Sequence, residues 1–376
     1  MDKGIVCITG SQSCALMRIA RIGRSLSAVH FYNGAAVPFD YRIHTVGDLH
    51  AEALLDMLHV DRQHPLEILV PSAKFRRDSA MIRSRVLSIP LPDGAFLELK
   101  PGADPAKRIS LPQSIRILIE SPPLALLQGA RTIQRLISCQ GGNRLNGILR
   151  LMEFADECCG WYSRDPKNPR SGSISYDQPH KCTRLTTPET MRAFVEEISN
   201  VDGVRLARIA ARHAIDEAGS PMEAYINHAL ALPPRFGGLS MRKPLANQQL
   251  RVDEATHAKL KHHSLRPDLQ WPEQHTLAEY LGDENHAGRP ARIEDKDRMQ
   301  DYMTASFAAF PLMYDDVRNA TSLGQTAEMI ARELMRRGAK EELYNVRKLL
   351  RDEEFRIRQR ILVGALLPPI THYEDA

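Results

Sequence analysis

The chain has 376 residues, of which 43% are hydrophobic and 26% are charged, and its formal net charge is +4. This length allows two or three domains with separate cores, and this composition is typical of an ordinary soluble globular protein. The small positive charge permits contact with nucleic acid without requiring it, because such binding depends on where the charges cluster.

Residues 1–125 are predicted to form a mixed α/β domain. The apolar run at residues 66–70 lies between two prolines and is typical of a short buried strand. A second strand is expected at residues 86–91. The turn residues Pro92-Asp93-Gly94 then lead into a third strand at residues 95–99.

Residues 126–203 are predicted to be a helical connecting region. A helix is expected to start after Ser121, where two prolines occupy positions that suit a first helical turn. Residues 164–187 are rich in Pro, Ser, Gly, Asp and Asn, which predicts a long loop. Thr187 can cap the next helix, with Pro188 at its first position.

Residues 204–340 are predicted to form the C-terminal domain, in which a sheet is flanked by helices. Residues 204–215 are rich in strong helix formers. Ser220 and Glu223 have capping-box spacing and start a further helix. Two short apolar runs follow, and beyond them we expect a helix at 293–306, a strand at 310–314 and a helix at 323–337. Taken with the first two regions, this predicts an α/β (α+β) protein.

Residues 341–376 are predicted to be one amphipathic helix, over 341–361, followed by a tail. Six basic side chains lie along that helix, interrupted by three acidic ones. We expect a surface helix packed on one face, because such charge runs usually solvate a helix.

Two carboxylates, Asp268 and Glu279, lie at the ends of the two short apolar runs before residue 293. If these runs are adjacent strands, both carboxylates reach one point, and Glu223 on the preceding helix is the natural third acid. Carboxylate oxygens are ligands that Mg²⁺ and Mn²⁺ prefer. The three residues therefore predict a divalent cation site, where the cation polarises a phosphate oxygen and lowers the pKa of an attacking water.

A lysine usually stands two residues after the glutamate of such a site, and Leu281 occupies that position here. Lysine positions the water and offsets developing charge, and leucine can do neither. The candidates to replace it are His286, Arg289 and Lys296. His286 is also a candidate general acid or base near neutral pH, and therefore a candidate catalytic residue.

A second charged pair follows on the same predicted helix. Asp295 and Arg298 lie three residues apart, a spacing that brings side chains together on one face of a helix. We expect the two side chains to form a mutual ion pair.

The segment from Ser220 onward resembles the nuclease-like domain of the very-short-patch-repair endonuclease branch of the PD-(D/E)XK superfamily. The residues that carry the resemblance are Ser220-Pro221-Met222-Glu223, Leu232-Pro233-Pro234, Phe236-Gly237-Gly238-Leu239, Pro244-Leu245-Ala246-Asn247, Asp268-Leu269-Gln270-Trp271, Ala278-Glu279-Tyr280, His286, and Asp295 with Arg298 ahead of a final strand and helix. In that family the run after the glutamate usually reads Tyr-Asp-Gly. Leu281 replaces the aspartate here.

The upstream part is similar to the companion region of a large group of poorly characterised bacterial proteins. The shared residues are Leu91 to Phe96, Ser121-Pro122, Leu127-Gln128 and Cys159-Gly160-Trp161-Tyr162. Some abortive-infection antitoxin proteins have a similar C-terminal domain. The resemblance implies a nuclease fold, DNA as a partner, and a setting in phage defence or DNA processing.

Three functions remain open at this point, the third being a purely structural protein-interaction module built on the N-terminal region. The first is a Mg²⁺- or Mn²⁺-dependent DNA endonuclease that uses Glu223, Asp268 and Glu279. The second is a nuclease fold without activity, which binds DNA or a partner protein as an antitoxin or regulator would. Leu281 favours the second function, and the presence of all three acids favours the first.

Cysteine usage and hydropathy bear on the compartment. The six cysteines have no CxxC spacing and no secretory signal is visible, so we expect reduced thiols and a cytoplasmic protein. No stretch approaches the roughly 20 apolar residues that cross a bilayer, so no contact with a membrane is expected.

Overall fold

The computed structural model describes residues 4–21, 29–33, 45–101, 109–164, 182–281 and 289–368. Helices and two mixed sheets confirm the predicted α/β (α+β) class. The chain divides into two compact units. The N-terminal unit contains residues 1–142 and 163–212, and the C-terminal unit contains residues 143–162 and 213–376.

The N-terminal unit is built on a six-stranded sheet. Its strands are β1 (Gly4–Ile8), β2 (Val29–Asn33), β3 (Leu66–Val70), β4 (Ile82–Val86), β5 (Phe96–Pro101) and β6 (Ile115–Glu120). Their order across the sheet is β2-β5-β6-β1-β3-β4. β1 pairs in parallel with β6 and antiparallel with β3, and every residue of β1 is buried. A strand that is buried on both faces of the sheet is apolar throughout for this reason.

Helices complete the N-terminal unit, and two of them start where the sequence predicted. They are α1 (Gly10–Arg21), α2 (Glu52–Met57), α3 (Pro122–Gln140), α5 (Pro188–Glu197) and α6 (Val204–His213). α3 begins directly after Ser121, with proline in its first turn, as predicted. The Thr187 side chain accepts a hydrogen bond from the Thr190 backbone N–H at the start of α5, which confirms the predicted cap.

The C-terminal unit contains a four-stranded sheet in the order β10-β9-β8-β7. The strands are β7 (Leu245–Ala246), β8 (Leu269–Trp271), β9 (Thr276–Tyr280) and β10 (Ala308–Leu312). β7, β8 and β9 run antiparallel in turn, whereas β10 is parallel to β9. Parallel neighbours need a crossover, and the helix α9 (Arg289–Thr304) supplies it.

The other helices of the C-terminal unit are α4 (Arg144–Cys159), α7 (Pro221–Ala231), α8 (Glu254–His257), α10 (Tyr314–Val317), α11 (Ala320–Arg336), α12 (Glu342–Leu350) and α13 (Glu353–Leu366). One part of the core brings together Leu277 of β9, Tyr302 of α9 and Phe307, which precedes β10. This packing holds α9 near β9.

Three local predictions were wrong. The strand expected at residues 86–91 is β4, which ends at Val86, and Pro90 removes a backbone donor from the predicted run. β6 was not predicted at all. The helix expected over 341–361 is two helices, because the Asp352 side chain accepts from the Phe355 backbone N–H and starts α13.

The boundaries of the two compact units differ from the predicted boundaries at residues 125, 203 and 340. The predicted division into four regions stays a prediction. Residues 165–181 of the loop predicted at 164–187 lie outside the described residues. In the part of the chain that the structure describes, every helix is too short or too polar to cross a membrane.

Candidate carboxylate site

Glu223 is positioned by the start of α7. The Ser220 hydroxyl oxygen accepts from the Glu223 backbone N–H at 3.1 Å, and Pro221 occupies the first turn. The Glu223 carboxylate accepts from the Gly219 backbone N–H at 2.7 Å and from the side-chain amide of Asn247. The capping-box spacing therefore predicted the helix start, but the carboxylate contacts Gly219 rather than the backbone of Ser220 itself.

Asp268 directly precedes β8 and faces the end of β9. Its Oδ2 accepts from the Tyr280 backbone N–H at 2.7 Å. Its own backbone N–H donates to Glu279 Oε2 at 3.2 Å. The antiparallel register, with Leu269 opposite Ala278, explains why these neighbours meet. The structure thus places Asp268 and Glu279 side by side, as the two apolar runs predicted.

Glu279 lies in β9 with only 2% of its side chain exposed, and α9 supplies two further donors to it. Arg298 Nη1 donates to Glu279 Oε1 at 2.8 Å. The Tyr302 hydroxyl donates to Glu279 Oε2 at 3.2 Å. With the Asp268 backbone N–H, these donors occupy both oxygens of the carboxylate.

The three carboxylates perturb one another. Burial raises the pKa of Asp268 well above its usual range, and the negative charges of Glu223 and Glu279 raise it further. Burial likewise raises the pKa of Glu223, with Glu279 adding to the effect. For Glu279 burial raises the pKa, while Arg298 opposes the rise. Three acids from three different elements therefore form one electrostatic cluster, which we call the carboxylate cluster.

Arg298 has a different principal partner from the one predicted. Its Nη2 lies 3.7 Å from Asp295 and 3.8 Å from Glu294, whereas its bond to Glu279 is 2.8 Å long. The expected pair with Asp295 is present but is the longer contact. The sequence could not show this, because the bond to Glu279 depends on how α9 crosses β9.

Of the other predicted site residues, the structure describes the side chains of Lys296 and Leu281. His286 lies outside the described residues, and the structure describes no side chain for Arg289. Lys296 is exposed on α9. Leu281, at the usual lysine position, donates its backbone N–H to the Leu312 carbonyl oxygen at 2.9 Å and continues the pairing of β9 with β10.

The cluster has the ligand chemistry of a divalent cation site, but not a ready arrangement. Carboxylate oxygens suit Mg²⁺, Mn²⁺ and Ca²⁺. Within the described ranges, no group of three or more His, Cys, Asp or Glu side chains stands arranged to hold a metal ion. The engagement of both Glu279 oxygens by neighbouring donors is a physical reason for this.

Two residues of the site were not predicted, namely Asn247 and Tyr302. Asn247 has a left-handed backbone with φ of 48°, a conformation that asparagine tolerates better than most residues. Tyr302 is fully buried. Its place four residues after Arg298 puts both on one face of α9, a signal that the sequence does contain.

Comparison of the chain with models of protein families, with curated proteins and with solved structures finds no match. The function must therefore be argued from the carboxylate cluster and its surroundings.

Proposed function

We propose that the C-terminal unit is a metal-dependent nuclease that hydrolyses phosphodiester bonds of DNA. The observation that carries the proposal is the convergence of Glu223, Asp268 and Glu279, where the Asp268 backbone N–H donates to Glu279 and the charges of Glu223 and Glu279 raise the pKa of Asp268. Burying like charges together is costly unless a positive charge compensates them. A divalent cation bound by carboxylate oxygens is a natural source of that charge.

The residues have distinct roles in this proposal. Glu223, Asp268 and Glu279 hold Mg²⁺ or Mn²⁺, and a cation bound there polarises the phosphate and lowers the pKa of the attacking water. Arg298, rather than a lysine at position 281, supplies the positive side chain near the reacting phosphate. His286 remains the proposed general acid or base.

The partner and setting follow from the resemblance of residues 220–300 to the very-short-patch-repair endonuclease branch. That resemblance favours DNA as substrate, in a cytoplasmic role in phage defence or DNA processing. The carboxylate cluster supports hydrolysis of a phosphodiester and does not by itself distinguish DNA from RNA.

A second function is favoured by one specific observation. The ion pair between Arg298 and Glu279 already gives the cluster a positive partner, and Leu281 stands at the usual lysine position. A nuclease fold that has lost its activity would need such an internal ion pair. The unit would then bind DNA or a partner protein, as an antitoxin or regulator does.

A cleavage assay separates the two functions. Purified protein is incubated with single-stranded and duplex DNA and with RNA, in Mg²⁺, in Mn²⁺ and in a chelator. We expect cation-dependent cleavage that Asp268→Asn reduces by at least about a hundredfold, since removing one electrostatic group from an active site costs about that much.

Asp315→Asn is the matched control, because Asp315 is an exposed aspartate with 79% of its side chain accessible. It should cleave as the wild type does. Equal cleavage by wild type and Asp268→Asn would contradict the nuclease proposal. DNA binding without any cleavage would support the regulator instead.

A further inference from the structure

Glu279 is the member of the carboxylate cluster that is least available to a cation. Arg298 occupies its Oε1, while Tyr302 and the Asp268 backbone N–H occupy its Oε2. Tyr302 and the backbone N–H are neutral donors that leave the charge of the carboxylate in place. Arg298 is different, because its full positive charge competes directly with a bound cation.

Arg298 can exchange Glu279 for another anion. One third of its side chain is exposed, and Nη2 is 3.7 Å or more from its acidic neighbours, beyond hydrogen-bond distance. A guanidinium offers five N–H donors in a planar fork that matches the oxygens of a phosphate. Part of the Arg298 side chain is therefore accessible for a phosphate that approaches the cluster from solvent.

We propose that Arg298 exchanges Glu279 for a backbone phosphate of the nucleic acid, so that phosphate and divalent cation bind cooperatively. This inference rests on the proposed nuclease function. Before the nucleic acid binds, Arg298 neutralises Glu279 and lowers the affinity of the cluster for a cation. When the phosphate takes the guanidinium, Glu279 Oε1 becomes free to bind the cation.

The remaining contacts keep Glu279 in place during the exchange. Tyr302 and the Asp268 backbone N–H hold Oε2, so Oε1 is released without movement of the carboxylate. Arg298 then lies between the phosphate and the cluster, where a positive charge offsets negative charge on the phosphate. Arg298 is thus a positioning residue that couples substrate binding to cation binding.

The exchange can be measured through either ligand. Thermodynamic linkage requires that the cation raises the affinity for phosphate by the same factor by which phosphate raises the affinity for the cation. Ca²⁺ serves as the probe cation and a fluorescently labelled mixed-sequence DNA duplex as the probe phosphate, at constant ionic strength. Ca²⁺ affinity without DNA is measured by calorimetry. DNA affinity with and without Ca²⁺ is measured by fluorescence anisotropy.

For wild type we expect Ca²⁺ to tighten DNA binding by about tenfold, a typical coupling factor. Arg298→Gln should bind Ca²⁺ without DNA about tenfold more tightly than wild type, and its coupling should shrink. Arg298→Lys keeps the charge but not the fork, so Glu279 retains a positive partner and the Ca²⁺ affinity without DNA should stay near that of wild type, while the coupling should shrink. Arg318→Gln is the matched control, because Arg318 is more than half exposed and pairs with Asp315, so the variant should keep the wild-type Ca²⁺ affinity to within about twofold.

Wild-type Ca²⁺ affinity in both Arg298 variants would overturn the exchange, even if the wild-type protein cleaves DNA. A gain in Arg298→Gln that leaves the coupling between Ca²⁺ and DNA at the wild-type value would also overturn it, because Arg298 would then lower the cation affinity without exchanging Glu279 for a phosphate. If neither the wild type nor any variant binds Ca²⁺, with or without DNA, the exchange and the nuclease proposal both fail.

Discussion

Both units bury carboxylates at the end of a sheet strand, but the N-terminal unit buries one where the C-terminal unit brings three together. Glu120 ends β6 and is fully buried. The Thr9 hydroxyl donates to one carboxylate oxygen, and the Gly10 backbone N–H donates to the other at 3.1 Å. Burial raises the pKa of Glu120 to about 7, while these donors and Arg85 oppose the rise.

The difference between the two places shows what makes a buried acid a candidate site. Glu120 has donors from its own unit, and a single proton neutralises it near neutral pH, so folding alone accounts for it. In the carboxylate cluster, Glu223 and Glu279 raise the pKa of Asp268, and Arg298 balances only one negative charge. The cluster therefore holds three acids against one positive side chain, so bound protons or a bound cation must balance the other two, whereas Glu120 needs a single proton.

The largest effect that tests this comparison is expected from a substitution of Glu120. Between about pH 4.5 and about pH 7 the native protein holds a proton on Glu120 that the unfolded chain has released. The contribution of Glu120 to the free energy of unfolding is complete below pH 4.5 and falls as the pH rises through 7, by about 3 kcal/mol in all. Glu120→Gln should remove this dependence.

The free energy of unfolding is measured in urea at pH values from 4.5 to 8. Hydrogen exchange of the backbone N–H groups of β1 and β6 monitors the unfolding of the N-terminal unit. Glu52→Gln, an exposed glutamate of α2, is the control and should keep the wild-type profile. An unchanged pH profile in Glu120→Gln would mean that Glu120 is not the titrating group.

Breaking the ion pair of the cluster should have the next largest effect. Arg298→Gln leaves Glu279 buried without its charged partner and should lower the free energy of unfolding by about 2 kcal/mol at pH 7.5. This is less than for a fully buried pair, because one third of Arg298 is exposed. The loss should shrink as the pH falls, because burial raises the pKa of Glu279 and the carboxylate gains a proton at a higher pH than a free glutamate does.

Tryptophan fluorescence reports this change, because the chain's two tryptophans, Trp161 and Trp271, both belong to the C-terminal unit. Arg318→Gln, which removes an arginine more than half exposed, serves as the control. The same loss at pH 5 as at pH 7.5 would show that the charge of Glu279 is not the cause.

Removing one acid from the cluster should raise the free energy of unfolding, whereas breaking the ion pair lowers it. Asp268→Asn keeps an oxygen acceptor for the Tyr280 backbone N–H and removes a negative charge that Glu223 and Glu279 oppose. Without divalent cation it should raise the free energy of unfolding by about 1.5 kcal/mol, the size of one moderated charge repulsion. The gain is measured by the same fluorescence at pH 7.5, and a loss instead would mean that the three acids do not repel one another.

The smallest effect is expected from a neutral donor. Tyr302→Phe removes the hydroxyl that donates to Glu279 Oε2 and should cost about 1 kcal/mol, as for one buried hydrogen bond. Thermal unfolding followed by tryptophan fluorescence measures the loss. A loss larger than that of Arg298→Gln would reverse the order of importance assigned to the two donors.

The parts of the fold that were predictable depend on short-range signals. Ser121, Thr187 and Ser220 marked helix starts correctly, because a cap acts within four residues of chain. β6 and the break at Asp352 escaped notice. The isoleucine-rich run of β6 is a strand signal that the sequence does contain, whereas a capping aspartate inside a charged run looks like one more surface residue.

The candidate site was predictable only in part for a similar reason. The short spacing between Asp268 and Glu279 indicated adjacent strands, and the structure places them so. The bond between Arg298 and Glu279 depends on where the crossover helix α9 packs. Asn247 donates to Glu223, which lies 24 residues away in the sequence. Such contacts depend on tertiary packing, which no local pattern of residues reveals.

The most direct test of the central claim is a crystal structure grown in saturating Mn²⁺ with anomalous diffraction data. We predict a Mn²⁺ peak with carboxylate oxygens of Glu223, Asp268 and Glu279 at about 2.2 Å, the range for hard cations with oxygen ligands. Arg298 should have moved away from Glu279 Oε1. A structure at saturating Mn²⁺ with no peak at the cluster, and with Arg298 still bound to Glu279, would contradict the claim.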